Sequence, residues 1–209
     1  MKLEVIDIKG QGTGRSVDLP SEVFGIEPNK HVIYLAVKAA MANRRQGTHA
    51  SKERGDVAGS TRKIKKQKGT GTARAGDIKN PLFRGGGRMF GPQPRDYSQK
   101  VNKKVKKIAL NSVLSAKQAS GKISIVEDFT FEQPSTRQFA EILNSVNPEK
   151  TKTLLLIGDY DKNIYLSSRN IPNSRTMNVK DANILELMKA DKIYFSESSL
   201  EYFKEKELI

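Results

Sequence analysis

The chain has 209 residues and a formal net charge of +14 at pH 7, and nearly all of this charge lies in one segment. Residues 44–107 hold 19 Lys and Arg against 4 Asp and Glu, whereas the other residues hold 18 basic and 19 acidic side chains. A basic block of this size indicates a polyanionic partner, and nucleic acid is the first candidate. The absence of cysteine excludes disulfides and thiolate metal sites, and two histidines are too few for a multi-histidine zinc site.

The N-terminal residues alternate polar and apolar side chains, which favours a strand over a signal peptide. No window of the sequence approaches the ~20 apolar residues that a bilayer-spanning helix needs. We therefore expect a soluble, cytoplasmic protein with no membrane partner.

The predicted elements before residue 45 are two strands and a helix. Strands are predicted over Lys2–Ile8 and near Arg15–Leu19, with a glycine-rich turn between them. Asn29 is predicted to cap a helix that runs to about Asn43, because apolar residues recur there at helical spacing.

Residues 46–97, here called the arm, sustain neither a helical nor a strand period. The backbone entropy lost on ordering this segment far exceeds what its eight large apolar side chains could return by burial. The arm is therefore predicted to be disordered alone or to order on a partner. Because it lies between two predicted helices, it is an anchored internal loop rather than a tail, which suits insertion into a defined place.

Regular structure is predicted to resume at Ser98, interpreted as the N-cap of a helix with a lysine face and an apolar face. Strands are then predicted over Lys122–Val126, Thr153–Ile157, Thr176–Val179 and Lys192–Phe195, and helices after caps at Ser135 and Asp181, near Asn163–Arg169 and over Ser198–Lys206. This alternation predicts an α/β fold with a mostly parallel sheet covered by helices, a Rossmann-like three-layer arrangement with a long basic internal loop extension. The predicted globular domain comprises residues 1–44 and 98–209, and the loop comprises residues 45–97.

The residue types of the arm point to RNA. Lysine and arginine neutralise phosphates, glycine lets the backbone approach them closely, and aromatic rings interleaved with arginine stack on unpaired bases. For the basic centre, Arg62–Gly76, the alternative is a solvated loop that carries a localisation signal. For Phe83, Phe90 and Tyr97, the alternative is that they pack the base of the loop, and packing is the favoured interpretation for Tyr97.

An enzymatic interpretation starts from the glycines at Gly10–Gly14 and Gly69–Gly76. The first run leads into a strand-like stretch rather than a helix, and no P-loop string occurs, so neither fits a nucleotide site. Asp159 and Asp161 follow a predicted central strand and are candidate magnesium ligands, although turn formation is the favoured role. No nucleophile–base set is apparent. A nucleotide-dependent enzyme and an RNA chaperone remain as alternatives to a structural RNA-binding protein.

Five strings of residues, in order along the chain, resemble the uL4 family of large-subunit ribosomal proteins in its bacterial form. They are Arg45-Gln46-Gly47-Thr48, Gln67-Lys68-Gly69-Thr70-Gly71, Ala73-Arg74-Ala75-Gly76, Gly85-Gly86-Gly87-Arg88-Met89-Phe90-Gly91-Pro92 and Ser98-Gln99-Lys100-Val101-Asn102-Lys103-Lys104. The resemblance covers essentially the whole chain. It implies a structural, non-catalytic protein of translation, with an α/β domain at the solvent side of the large subunit and a loop threaded into 23S rRNA.

The resemblance also implies that the loop tip lines the narrow part of the nascent-peptide tunnel beside protein uL22, and that the protein binds early in subunit assembly. The implied tunnel-lining residues are Lys65, Lys66, Lys68, Gly69, Thr70 and Gly71. With the arm's composition it predicts RNA binding by Arg44, Arg45, His49, Lys52, Arg54, Arg62, Lys63, Lys65, Lys66, Lys68, Gly69, Thr70, Gly71, Arg74, Lys79, Arg84, Arg88, Arg95, Lys100, Lys103, Lys104 and Lys107. Expected partners are 23S rRNA, uL22 and other neighbouring proteins, and the nascent peptide. No cofactor is expected apart from structural magnesium bound through the rRNA.

Two positions depart from the family pattern. Thr72 stands where many bacterial members carry arginine, which removes one charge contact to RNA. The residues before Gln67 read Lys-Ile-Lys-Lys, where an aromatic residue followed by arginine is common, so no ring is present there for a stacking contact.

Overall fold

The computed structural model describes residues 1–205, which fall into two compact units. One unit, here called the globular unit, comprises residues 1–42 and the residues from 99 onward, and the second unit comprises residues 43–98. The strands are β1 (Lys2–Ile6), β2 (Gly12–Asp18), β3 (Ile123–Val126), β4 (Thr153–Ile157), β5 (Ser174–Asn178) and β6 (Lys192–Ser196). The helices are α1 (Ser21–Phe24), α2 (Lys30–Asn43), α3 (Lys103–Ala119), α4 (Thr136–Val146), α5 (Lys162–Ser168), α6 (Ile184–Lys189) and α7 (Glu201–Glu205).

The six strands form one sheet in the order β2-β1-β3-β6-β4-β5. The β1–β2 pair is antiparallel, because the two strands are joined by a short turn, and the other four pairs are parallel. All five residues of β4 are buried, as expected for a strand inside a sheet that is covered on both faces. The predicted mostly parallel α/β sheet is confirmed.

Side chains that alternate along β4 and β6 enter two separate apolar clusters, one on each face of the sheet. Leu154, Leu156, Ile193 and Phe195 belong to the larger cluster, with residues of α1, α3 and α6. Leu155, Ile157 and Tyr194 belong to the smaller cluster, with residues of α4 and α5. Since successive strand residues point to opposite faces, the helices lie on both sides of the sheet in three layers.

An aromatic group that the sequence did not indicate closes the larger cluster. The short helix α1 places Phe24 at 1% exposure, with its ring centroid 6.0 Å from that of Phe195 and 5.5 Å from that of Phe203. Helix α1 went unpredicted because four residues are too few to show a helical period.

The helix predicted from Ser98 begins later in the structure. Helix α3 starts at Lys103 after Asn102, so Lys100 lies before the helix and not on its lysine face. The Ser98 hydroxyl and N–H both donate to Asp96 Oδ1, at 2.6 and 2.8 Å, and are therefore engaged in the loop rather than at the helix end. From Ala109 to Ser115 every residue of α3 is buried, so the helix passes from an exposed lysine-rich turn into the core.

The other caps were predicted with mixed success. Asn29 Oδ1 accepts from the N–H groups of His31 and Val32, and Ser135 Oγ accepts from Gln138 N, so both predicted caps are confirmed. The cap predicted at Asp181 is wrong, since Asn183 Oδ1 accepts from Leu185 N at 2.8 Å and caps α6. Asp181 instead ends a 3-10 turn. The segment predicted as a helix over Ser198–Lys206 forms a 3-10 turn followed by α7. Lys206 lies outside the described residues.

Candidate nucleic-acid interface

The arm folds back on itself without forming a helix or a strand. Its outgoing limb, residues 46–60, and its returning limb, residues 77–97, are joined by backbone hydrogen bonds. Arg95 N donates to Gly47 O at 3.1 Å, and Gly87 N donates to Lys79 O at 2.9 Å within the returning limb. Residues 61–76 form the tip, where Ile64 N donates to Gly76 O at 3.0 Å. The paired limbs give the arm a defined path from its base to its tip.

Tyr97 organises the base of the arm. Its ring lies 3.8 Å from the guanidinium carbon of Arg45 and 4.5 Å from that of Arg95, measured to the ring centroid. Its hydroxyl is 2.7 Å from Nε2 of His49. Two cation–π contacts and a hydrogen bond make Tyr97 a packing residue, as predicted. Phe90, in contrast, does not pack the base of the arm, because its side chain is 99% exposed.

Halfway along the arm, Asp77 joins the two limbs through Arg54. Asp77 is 5% exposed, and its Oδ2 accepts from Nη2 and Nε of Arg54 at 2.9 and 3.2 Å. Gly87 packs directly against this contact, since a Cβ there would collide with the backbone nitrogen of Arg54. Sequence reasoning assigned Arg54 to RNA and overlooked Asp77, although an acidic residue in a strongly basic arm is a signal of an internal ion pair.

The acidic side chains of the arm all accept hydrogen bonds from residues of the second unit. Besides Asp77, Glu53 accepts from the Gln93 amide, Asp56 accepts from the Glu53 N–H, and Asp96 accepts from Ser98. The hydrogen bonds from the Ser98 hydroxyl and N–H lower the pKa of Asp96 below its ordinary value. Only Asp77 among these carboxylates is buried, and the exposed charge is mainly positive because the arm has twelve lysines and arginines against three exposed acidic residues.

The tip is exposed along its whole basic length. Every residue from 58 to 74 is exposed, including the six residues for which the family resemblance implies a place in a tunnel wall. Lys65 Nζ donates to Thr72 Oγ1 at 2.9 Å, and Lys63 donates to Gln67. Thr72, a position at which the family resemblance implies arginine, therefore contacts a lysine of the tip.

The predicted RNA-binding residues lie in both units of the structure. Lys100, Lys103, Lys104 and Lys107 belong to the globular unit, and the others belong to the second unit. All are exposed except Lys79 and Lys107, which are half-buried. Exposure of so many lysines and arginines on one segment gives a surface suited to phosphate contacts.

The structure gives no support to the enzymatic interpretation of the aspartates. Asp161 Oδ1 accepts from Asn163 N at 2.7 Å and caps α5, while Asp159 is fully exposed and 3.9 Å from Lys180 Nζ. Within residues 1–205, no group of three or more His, Cys, Asp or Glu side chains could hold a metal ion. In the same range no helix is long and apolar enough to cross a bilayer. Gly12 and Gly14 lie within β2, so the first glycine run contributes to a hairpin rather than to a phosphate loop.

Comparison of the sequence with known proteins identifies the family of the chain. The chain is similar to the large ribosomal subunit protein uL4 of Amoebophilus asiaticus, with 55% identity over 200 residues that cover 96% of this chain and 95% of that protein. It is 50% identical to the protein of the same name from Christiangramia forsetii, over 99% of both chains, and 49% identical to that from Bacteroides fragilis, over 96% of both. Residues 17–206 match the profile of the Ribosomal protein L4/L1 family, and the chain belongs to that family.

Proposed function

We propose that the chain is a structural constituent of the large ribosomal subunit that binds 23S rRNA through its arm and serves translation without catalysing a reaction. The observation that carries the proposal is the exposed charge of the arm. Twelve lysines and arginines lie between residues 46 and 97 against four acidic residues, and those four accept hydrogen bonds within the second unit. Such a segment is suited to neutralise phosphates where RNA helices crowd together.

The arm contains almost nothing that would hold it rigid by itself. Among residues 43–98, only Asp77 and Gly87 are buried, so the second unit has no apolar core. Hydrogen bonds between exposed backbone groups contribute little net stability in water. We infer that rRNA completes the arm's stabilisation, and that this coupling serves early assembly of the subunit by fixing the RNA around the arm.

The position of the tip supports a finer proposal. Lys65, Lys66 and Lys68, with the residues 69–71, lie at the far turn of the arm, where the chain reverses direction. A long anchored loop with an exposed turn can cross a layer of RNA and present that turn on the other side. The tip is proposed to line the narrow part of the peptide exit tunnel, beside uL22 and in contact with the nascent peptide. We accordingly propose that the protein lies in the cytoplasmic large subunit.

Sedimentation of a tagged copy from a cell lysate tests the ribosomal role. Fractions are washed in high salt at high magnesium, so that electrostatic adhesion is removed while folded rRNA is kept. Stoichiometric retention in the large-subunit peak is expected if the arm is locked in folded rRNA. Release of the chain to the top of the gradient would reject the proposal and favour a freely exchanging RNA chaperone. Saturable binding of ATP, GTP or NAD by the chain would favour an enzyme.

A further inference from the structure

The returning limb carries a bulge at residues 89–91. Arg88 N donates to Lys52 O at 2.9 Å, and Ser51 N donates to Pro92 O at 3.0 Å. Two adjacent residues of the outgoing limb, 51 and 52, therefore pair with two residues of the returning limb, 92 and 88, that are four positions apart. The three residues between the two hydrogen bonds are forced out of the paired backbone.

Phe90, at the centre of the bulge, combines two unfavourable features. Its φ is 51°, in the left-handed region that residues other than glycine, asparagine and aspartate rarely adopt. Phe90 is 99% exposed, although burial of a phenylalanine side chain away from water is favourable in free energy. Gly91 fixes the bulge against the outgoing limb, since a Cβ there would collide with the Ser51 hydroxyl. Strain and exposure in one residue of a built bulge indicate that the ring contacts a ligand.

The bulge forms one wall of an open cleft within the second unit, with a volume of about 1150 Å³. Three guanidinium groups line the cleft, those of Arg54, Arg88 and Arg95. Its acidic lining residue, Glu53, accepts from the Gln93 amide at 2.5 Å. The lining thus combines an aromatic ring with an excess of positive charge, which suits an anionic ligand with a flat, apolar face.

We propose that this cleft binds one unpaired RNA nucleotide, whose base stacks on Phe90 and whose phosphate is bound by Arg88. The proposal rests on the proposed function of the arm in binding rRNA, and it specifies a nucleotide site within it. Unpaired bases are the elements of RNA that stack on protein aromatic rings, whereas the bases of a duplex are already stacked on each other. Arg54 bonds Asp77, and Arg95 lies over the Tyr97 ring, so Arg88 is the guanidinium that we assign to the phosphate.

The test measures binding of the full-length chain to transcribed 23S rRNA over a series of potassium chloride concentrations. Phe90→Ala is expected to weaken the affinity by about 5-fold to about 150-fold, the range for loss of one base–aromatic stack. The factor is expected to be the same at every salt concentration, because stacking releases no counterions. Phe90→Tyr keeps the ring and is expected to bind like the parent. Arg88→Gln is expected to make the salt dependence shallower by about 0.7 in slope.

Leu82→Ala is the matched control, since Leu82 is 88% exposed in the same unit and is not part of the cleft lining. It is expected to change neither the affinity nor the slope. Circular dichroism and the melting temperature of Phe90→Ala are expected to match the parent, because the ring is unburied.

Three results separate the site from the function. If the parent binds 23S rRNA and Phe90→Ala binds it with the same affinity, the nucleotide site is overturned and rRNA binding by the chain remains. Loss of retention in the large subunit with unchanged affinity for naked rRNA would mean that Phe90 packs against a protein, which also overturns the site. Failure of the parent itself to bind 23S rRNA would reject the proposed function.

Discussion

Raising the potassium chloride concentration should release the chain from 23S rRNA with a slope that counts its phosphate contacts. Each phosphate neutralised by a lysine or arginine contributes about −0.7 for single strands to about −0.9 for duplexes to the slope of log K against log salt. The arm carries twelve lysines and arginines, and Arg54 is held by Asp77, which leaves eleven. If all eleven reach phosphates, the arm contributes about −8 to about −10 to the slope, and if half do, it contributes about −4 to about −5.

A matched pair of variants locates the contacts. Replacing Lys63, Lys65, Lys66 and Lys68 at the tip by glutamine should make the slope shallower by about 3, four times the single-strand contribution. The control replaces four exposed lysines of the globular unit, Lys9, Lys30, Lys38 and Lys162, and should leave the slope near that of the parent. Both variants lose the same formal charge, so a general effect of net charge would move them equally.

Filter binding of the full chain to transcribed 23S rRNA, at fixed magnesium, measures the slope for all three proteins. A parent slope shallower than about −2 would refute the assignment of the arm to phosphate contacts. Equal slopes for the two variants would mean that the tip does not approach phosphates, even if the rest of the arm does.

Three further predictions follow from the fold and the tip. Phe24→Ala should lower the free energy of unfolding by about 3–5 kcal/mol, because it leaves a cavity beside the rings of Phe195 and Phe203; urea titration measures this, and a loss below about 1 kcal/mol contradicts it. Burial raises the pKa of Tyr194 to about 12, so the folded state favours the neutral phenol and the free energy of unfolding should fall as pH rises above about 10. Tyr194→Phe should lack this alkaline loss, and identical pH profiles for the two proteins would exclude it. Charge reversal at Lys68 should change macrolide sensitivity more than subunit assembly, and unchanged sensitivity with the variant incorporated would remove Lys68 from the tunnel wall.

The elements that the sequence predicted well have a short-range physical origin. The bounds of β4 agree with the prediction because five consecutive apolar and β-forming residues end at a glycine and an aspartate. Asn29 and Ser135 were identified as caps from residue type alone. The same rule failed at Ser98 and at Asp181, because it ignores competition: Asp96 engages the Ser98 hydroxyl, and Asn183 takes the capping position two residues after Asp181.

The candidate site also has some features that could be predicted from the sequence and others that could not. The exposure of its lysines and arginines could be predicted, since composition and the lack of periodicity already exclude a buried segment. The ion pair of Arg54 with Asp77 spans 23 positions, and the bulge at Phe90 exists only because the two limbs pair in one register. Both depend on long-range contacts: composition signals that Asp77 has a basic partner, but no local pattern of residues identifies that partner or the register of the limbs. Phe90 was therefore open to two interpretations from sequence, packing or stacking, and only its exposure excludes packing.

The burial of the two units implies that they respond to mutation differently. The globular unit has an apolar cluster on each face of its sheet, so its substitutions act on the free energy of unfolding. The second unit buries only Asp77 and Gly87, so a substitution at an exposed arm residue removes little that stabilises the free protein. On the proposed function, its cost should appear in RNA binding, because the lost contact is one that the RNA would have made. Arm variants such as Phe90→Ala should therefore be silent in unfolding experiments and detectable in RNA binding, and this separation is what allows the arm's contacts to be measured one at a time.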